Sequence, residues 1–353
     1  MKFSEIISGV EETDQGFIQR ARERTAQLVM PSRALGELHI IGERLCGIRR
    51  TLTPSVNKKA FLVMAGDHGI AASGVSAYPQ AVTGEMVKTF LKGGAGINVL
   101  ARQIGAQVTV VDTGIIPDIS PESFGDGRLI VKKVAKGTND FSKGPAMTRE
   151  QAESAILVGY ETAEVLFSKG VELLGTGDMG IGNTSPSSAI GSVITGTSVE
   201  RMAGRGTGVD DNGLQIKCDA IKSGIALNNP DPDDPVDVLS KVGGFEIGAI
   251  AGAVLAAAFF KRPVVIDGFI SGAGALIAYR LCPAVKDYIF AGHKSEEQGH
   301  QVMLDYMGLS PILNLGMRLG EGTGAALAMT IVEAGARIIN EVLTFEEAEV
   351  SKE

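Results

Sequence analysis

The chain has 353 residues, room for one large or two modest domains and for a core that needs no disulfide or metal staple. Apolar residues make up 44% and charged residues 21%, which excludes a disordered, collagen-like or membrane-span-dominated chain. With 33 Lys and Arg against 41 Asp and Glu the net charge is −8, so bulk binding to nucleic acid or an anionic membrane is disfavoured while a local phosphate site stays open.

Glycine is the one excess, 46 residues or about 13% of the chain against a usual value of roughly 7%, so many turns bring backbone close to something. Cys46, Cys218 and Cys282 are odd in number and far apart, neither a disulfide framework nor a metal clip, which points to a reducing compartment. The stretch Met1 to Val10 lacks the apolar run of a secretory signal, and the expected location is cytoplasmic.

In chain order, the first fifty residues read as helical. Gln15 to Val29 is rich in helix formers, and Leu38, Ile41, Leu45 and Ile48 follow an amphipathic spacing. From Lys59 the pattern changes to short apolar runs at Ala60 to Met64, Gln107 to Val111, Val171 to Leu174, Pro263 to Ile266 and Asp287 to Phe290. Long helical stretches separate them, which predicts a mostly parallel sheet covered by helices. Thr148 and Gln151 form a capping box opening a helix to about Ser168. Asn228 to Pro235 reads as a surface loop. Ile247 to Phe260 is too short to span a bilayer and reads as a buried helix, with Gly248 and Gly252 spaced for close packing. Gly322 to Leu343 closes the chain as a helix before an acidic, frayed tail, Glu346 to Glu353. The expected division is a helical segment 1–58 of a small domain, an α/β domain 59–310, and an active-site loop with C-terminal helix, 311–353, packing back on the small domain.

Parallel sheets carry ligands at the carboxyl ends of their strands, so the residues after each strand are the candidates. Asp67 and His68 follow the first; adjacent side chains rarely converge on one ion, and a positioning role is favoured over an acid/base or metal pair. Gly175 to Gly180 matches G-x-G-x-x-G after a strand, a weak dinucleotide fingerprint in a glycine-rich chain, with no convincing carboxylate about twenty residues on. The same amides suit an anion of any kind. Gly204 to Gly208 with Lys217 suits a single phosphate monoester, or is a flexible loop beside a solvated lysine. Glu321, between Gly320 and Gly322, is a candidate base with room for a ring to approach; glutamate is also common near a helix start for its dipole alone.

Together these segments are far more specific than any one of them. GDHG at Gly66 to Gly69, GVSAYPQAVT at Gly74 to Thr83, GPAM at Gly144 to Met147 and GDMGIGNTSP at Gly177 to Pro186 are followed by DVLSKVGGF at Asp237 to Phe245, DGFISGAGAL at Asp267 to Leu276 and MRLGEGTGAALAM at Met317 to Met329. In that order, over nearly the whole chain, they resemble the nicotinate-nucleotide:dimethylbenzimidazole phosphoribosyltransferase family. The resemblance implies a homodimer with a Rossmann-like α/β domain and a small helical domain. It also implies no redox cofactor and substrates that are small molecules; no metal is expected, because the four histidines form no ligand spacing. The implied reaction moves the 5-phosphoribosyl group of nicotinate mononucleotide to 5,6-dimethylbenzimidazole, giving α-ribazole 5′-phosphate and nicotinate in cobalamin nucleotide-loop biosynthesis.

Carried over residue by residue, the family's catalytic glutamate falls on Glu321, its phosphate contacts on Gly180, Gly206 and Lys217, and its base-pocket contacts on Tyr78, Met86, Met179 and Leu319. The family's glutamate in the G-E-[LM]-G segment is here Asp178, one methylene shorter, and Tyr78 and Met86 depart from other members. The chemistry suits the residues. The pyridine nitrogen of nicotinate mononucleotide is already cationic and leaves without an acid, whereas a benzimidazole must lose its N–H proton to one carboxylate. Asp178 and Asp267 are suited to stabilise oxocarbenium-like charge. Two other readings are a nicotinamide-dinucleotide-dependent oxidoreductase, from Gly175 to Gly180, and a nucleotide-binding protein without turnover.

Overall fold

The computed structural model describes residues 3–120 and 128–351. Among the described residues the chain from Lys59 onward forms seven strands: β1 Lys59–Gly66, β2 Gln107–Gly114, β3 Arg128–Val131, β4 Leu173–Met179, β5 Val264–Ile266, β6 Ile289–His293 and β7 Pro311–Leu313. They lie in the order β3-β2-β1-β4-β5-β6-β7, and every neighbouring pair is parallel. β1 is buried along its whole length, as a sheet covered by helices on both faces requires. The chain order reverses between β1 and β4, which opens a crevice at their carboxyl ends. Met64 pairs with Asp178 and Ala65 with Met179, so the GDHG and GDMG segments leave the sheet side by side.

The helices behind the sheet follow the expected periodicities. Thr148 caps Arg149–Ser168: its hydroxyl accepts from the Gln151 amide at 3.2 Å, and Gln151 Oε1 accepts from the Thr148 amide at 2.9 Å. Phe245–Phe259 is buried and lies backbone to backbone on that helix. A Cβ at Gly252 would collide with the Ile156 carbonyl, and one at Gly159 with the Ala249 carbonyl. The terminal helices Gln15–Thr25 and Glu37–Arg49 pack with Thr323–Glu341, where Gly335 meets Gly42 and Arg24 Nε donates to the Ile339 carbonyl at 3.0 Å.

Three features differ from the sequence reading. The edge strands β3 and β7, four and three residues long, lie outside the expected runs, whereas the equally short β5 falls within the apolar run Pro263 to Ile266. β7 also carries the sheet past the boundary expected at 310. The strand expected over Asp287 to Phe290 is shifted, because Pro283–Tyr288 is a 3-10 turn and β6 starts only at Ile289. Of the acidic tail, residues 352–353 lie outside the described residues.

Candidate active site

A cleft of about 720 Å³ opens over the carboxyl ends of β1, β4, β5 and β6, and Tyr78, Met86, Asp178, Met179, Gly180, Gly206, Leu319 and Glu321 all line it. Lys217 and Asp267 stand behind its wall: Lys217 donates to the lining Thr184, and Asp267 accepts from the amide of Gly322, next to the lining Glu321. The segments picked out along the chain therefore converge on one site, although Gly204 to Gly208 follows the short helix Val199–Met202 and not the strand expected there.

Glu321 has φ 65°, between Gly320 at 84° and Gly322 at 100°. Glycine adopts this left-handed backbone freely; for a glutamate it costs about 1 kcal/mol or more, and such strain concentrates at functional sites. The loop lies directly on β4, since a Cβ at Gly177 would collide with the Glu321 carbonyl oxygen. Glu321 is buried, and its Oε2 accepts from the Ile97 amide at 3.2 Å, in the first turn of helix Gly96–Gln103. Burial pushes its pKa up and the negative Asp267 adds to this, against the pull of the Ile97 amide. Desolvation thus outweighs the helix terminus, the balance a base working near neutrality needs.

Two more carboxylates sit beside it. Asp267 is wholly buried and accepts from the amides of Gly322 at 3.1 Å, Gly324 at 2.7 Å and Ala325 at 3.0 Å, which ties the Glu321 loop and the start of Thr323–Glu341 to β5. Burial raises its pKa, opposed by His293, whose Nε2 lies 3.7 Å from Oδ1, and by the three amides. Asp178 accepts from Asn183 Nδ2 at 3.0 Å; burial first, and then the charge of Asp267, push its carboxyl well above the usual range. This end of the cleft is short of positive charge.

The other end has the opposite bias. Lys217, on helix Asp211–Asn228, is fully buried, and its Nζ donates to Thr184 Oγ1 at 2.8 Å and to the Gly204 carbonyl at 2.9 Å. Burial lowers its pKa to about 8, partly offset by Glu297. Gly206, at φ 53°, fits against Thr184 and the lysine, and its amide donates to Glu297 Oε1 at 2.9 Å. At the mouth, Met86 and Met179 are half-buried, whereas Tyr78 and Leu319 are 56% and 62% exposed, so they present apolar surface outward instead of closing a slot.

A family model described as a phosphoribosyltransferase matches residues 10–350. The nicotinate-nucleotide–dimethylbenzimidazole phosphoribosyltransferase of Desulforudis audaxviator is 52% identical over 346 residues, 98% of this chain and 97% of that one. Its namesake from Geobacter sulfurreducens is 51% identical over 350 residues, 99% and 98% of the two chains. The chain belongs to this phosphoribosyltransferase family. A crystal structure of the Thermus thermophilus member superposes with a TM-score of 0.90 at 41% identity, covering 96% of this chain and all of that one.

Membership is at odds with the oxidoreductase reading, and the local geometry explains why the glycine pattern misleads. Gly175 and Gly177 are not a phosphate-binding turn but residues inside β4. A Cβ at Gly175 would strike the Phe61 ring, and Gly177 makes way for the Glu321 loop. Asp67 and His68 do not converge either: Asp67 Oδ2 accepts from the Ile116 amide at 2.7 Å, while His68 Nε2 meets Glu246 Oε1 at 2.7 Å. Sequence reasoning missed His293 and Glu297, both lining the cleft. The signal for them was the polar run His293 to Glu297 immediately after a strand, hidden because that strand was set too early.

Proposed function

We propose that the protein transfers the 5-phosphoribosyl group of nicotinate mononucleotide to 5,6-dimethylbenzimidazole, as the names of its relatives describe, yielding α-ribazole 5′-phosphate and nicotinate. The observation that carries this reading is the polarity of this cleft, with the buried carboxylates Asp178, Asp267 and Glu321 at one end and, at the other, the buried Lys217 and the lining Arg318 around the one carboxylate Glu297. A nucleotide with a cationic ring and an anionic phosphate has the matching charges.

In this reading Gly180, Gly206 and Lys217 hold the 5′-phosphate, and Tyr78, Met86, Met179 and Leu319 contact the incoming base. The bond from the anomeric carbon to the pyridinium nitrogen breaks as a benzimidazole nitrogen bonds to the opposite face, which inverts β to α. The departing electron pair neutralises the pyridinium, so no acid is required. Glu321 takes the proton from the other benzimidazole nitrogen. In the same reading Asp178, from the cleft wall, and Asp267, from behind it, stabilise the positive charge that develops on the ribose. The raised pKa of Asp178 suits this role, since an approaching cation draws out its ionised form.

The domain division belongs to the same proposal, with 1–58 and 311–353 forming the smaller unit apart from β7. So does a cytoplasmic homodimer: the free cysteines Cys46, Cys218 and Cys282 are all buried, and Tyr78 and Leu319 leave apolar surface at the mouth for a partner to cover. The test is incubation with nicotinate mononucleotide and 5,6-dimethylbenzimidazole, with the product resolved by chromatography and its anomeric proton read by NMR. An α-riboside 5′-phosphate is expected; a β-anomer or no nucleotide product contradicts the mechanism.

A further inference from the structure

Glu297 follows β6 at the phosphate end of the cleft and has no role in the reaction as derived above. It is only 7% exposed, yet its charge has no ion-pair partner among the described residues, and its Oε2 is buried without a hydrogen bond. A buried carboxylate kept for stability is ordinarily paired or fully hydrogen-bonded, because each unsatisfied oxygen carries a desolvation cost. Among the described residues its carboxylate has one hydrogen-bond partner, the Gly206 amide, which donates to Oε1 at 2.9 Å. Lys217 is close enough to feel its charge but gives its hydrogen bonds to Thr184 and Gly204, leaving one of its three donors unused.

We propose that Glu297 is a resident stand-in for the substrate phosphate: its carboxylate takes the position at the Gly206 amide that a phosphate oxygen takes, and a phosphate monoester binds by displacing it. The inference rests on reading Gly206 and Lys217 as the phosphate cradle. A second feature supports it independently. Glu297 forms the wall between the main cleft and a neighbouring cleft of about 500 Å³ that Arg205 and Arg318 also line. A displaced carboxylate therefore has space to enter, with Arg205, paired there to Asp211, on that side and Arg318 lining both clefts. Glu297 acts in this account as a specificity residue, keeping the cradle from weakly charged competitors until a dianion strong enough to evict the carboxylate arrives.

The test is calorimetry with inorganic phosphate and with nicotinate mononucleotide on the wild-type protein, Glu297→Gln and Glu297→Asp. Glutamine keeps the shape and an acceptor for the Gly206 amide but removes the like charge, so both ligands should bind about tenfold more tightly, with 5,6-dimethylbenzimidazole affinity unchanged. Aspartate keeps the charge but falls one methylene short of the amide, so it should give a smaller gain. It decides the question if the glutamine variant fails to fold. Unchanged or weaker phosphate binding in folded Glu297→Gln overturns the proposal, the weaker result meaning that Glu297 supports the charge of Lys217 instead. If the wild-type protein binds neither ligand, the cradle reading falls and the inference with it; if it binds them and the variants show no gain, only the inference falls.

Discussion

The two ends of the cleft are both built against the preference of water, and in opposite senses. At one end burial raises Asp178, Asp267 and Glu321, and at the other it lowers Lys217 to about 8. Each end is held in place by backbone: three amides on Asp267 and one on Glu321, a carbonyl on Lys217. The difference teaches that one apolar scaffold can hold two groups of opposite sign out of water, which the proposed function uses as two recognition surfaces. Desolvation makes carboxylates readier to take up a proton or face a cation, and makes a lysine dependent on an arriving anion. The ends should therefore fail separately.

The largest effect is expected from Glu321→Gln, which keeps the shape and removes the basicity. Turnover should fall about 10²- to 10⁴-fold in steady-state assays while the nucleotide still binds. If more than about a tenth of the turnover survives when chemistry is limiting, the proton goes elsewhere. Next is Gly177→Ala, whose new Cβ collides with the Glu321 carbonyl and shifts the loop. A displacement of about 1 Å is worth about 10²-fold in turnover, with phosphate affinity essentially unchanged. A comparable loss at both ends would show that the ends are coupled through β4.

Lys217→Ala should weaken nucleotide binding by about 1.5–3 kcal/mol, read by calorimetry. The pH dependence sharpens the same point. With a pKa lowered to about 8, Lys217 sheds its proton as pH rises through that value, so nucleotide affinity should decline there. The decline should vanish in Lys217→Ala. The smallest effect is expected at the mouth, where two adaptable methionines and the exposed Tyr78 and Leu319 should accept several benzimidazoles with kcat/KM within about tenfold.

Much of this was legible in the sequence, for identifiable reasons. The central strands are continuous apolar runs and the helices carry capping and periodic signals, so the parallel sheet could be read without coordinates. β3 and β7 do not stand out in the same way: β5 is as short but is a β-branched run closed by Asp267-Gly268, while the edge runs merge with the sequence around them. Glu321 and Asp267 stand in or beside turns that follow strands, and Lys217 stands on the helix after a glycine-rich turn between two helices, so local sequence marks all three. Glu297 and His293 depend on knowing where β6 ends, and a proline-initiated 3-10 turn moved that end by three residues. The G-x-G-x-x-G pattern misled because glycine inside a strand can serve the packing of a ring and a loop as well as the approach of a phosphate.

The most direct test of separable ends is to measure nicotinate mononucleotide affinity and the saturated single-turnover rate side by side in Glu321→Gln and Lys217→Ala. The account predicts a crossed result: Glu321→Gln keeps wild-type affinity within about threefold and loses at least about 10² in rate, whereas Lys217→Ala loses affinity and recovers most of its rate at saturation. Both variants losing affinity and rate in the same proportion would contradict it.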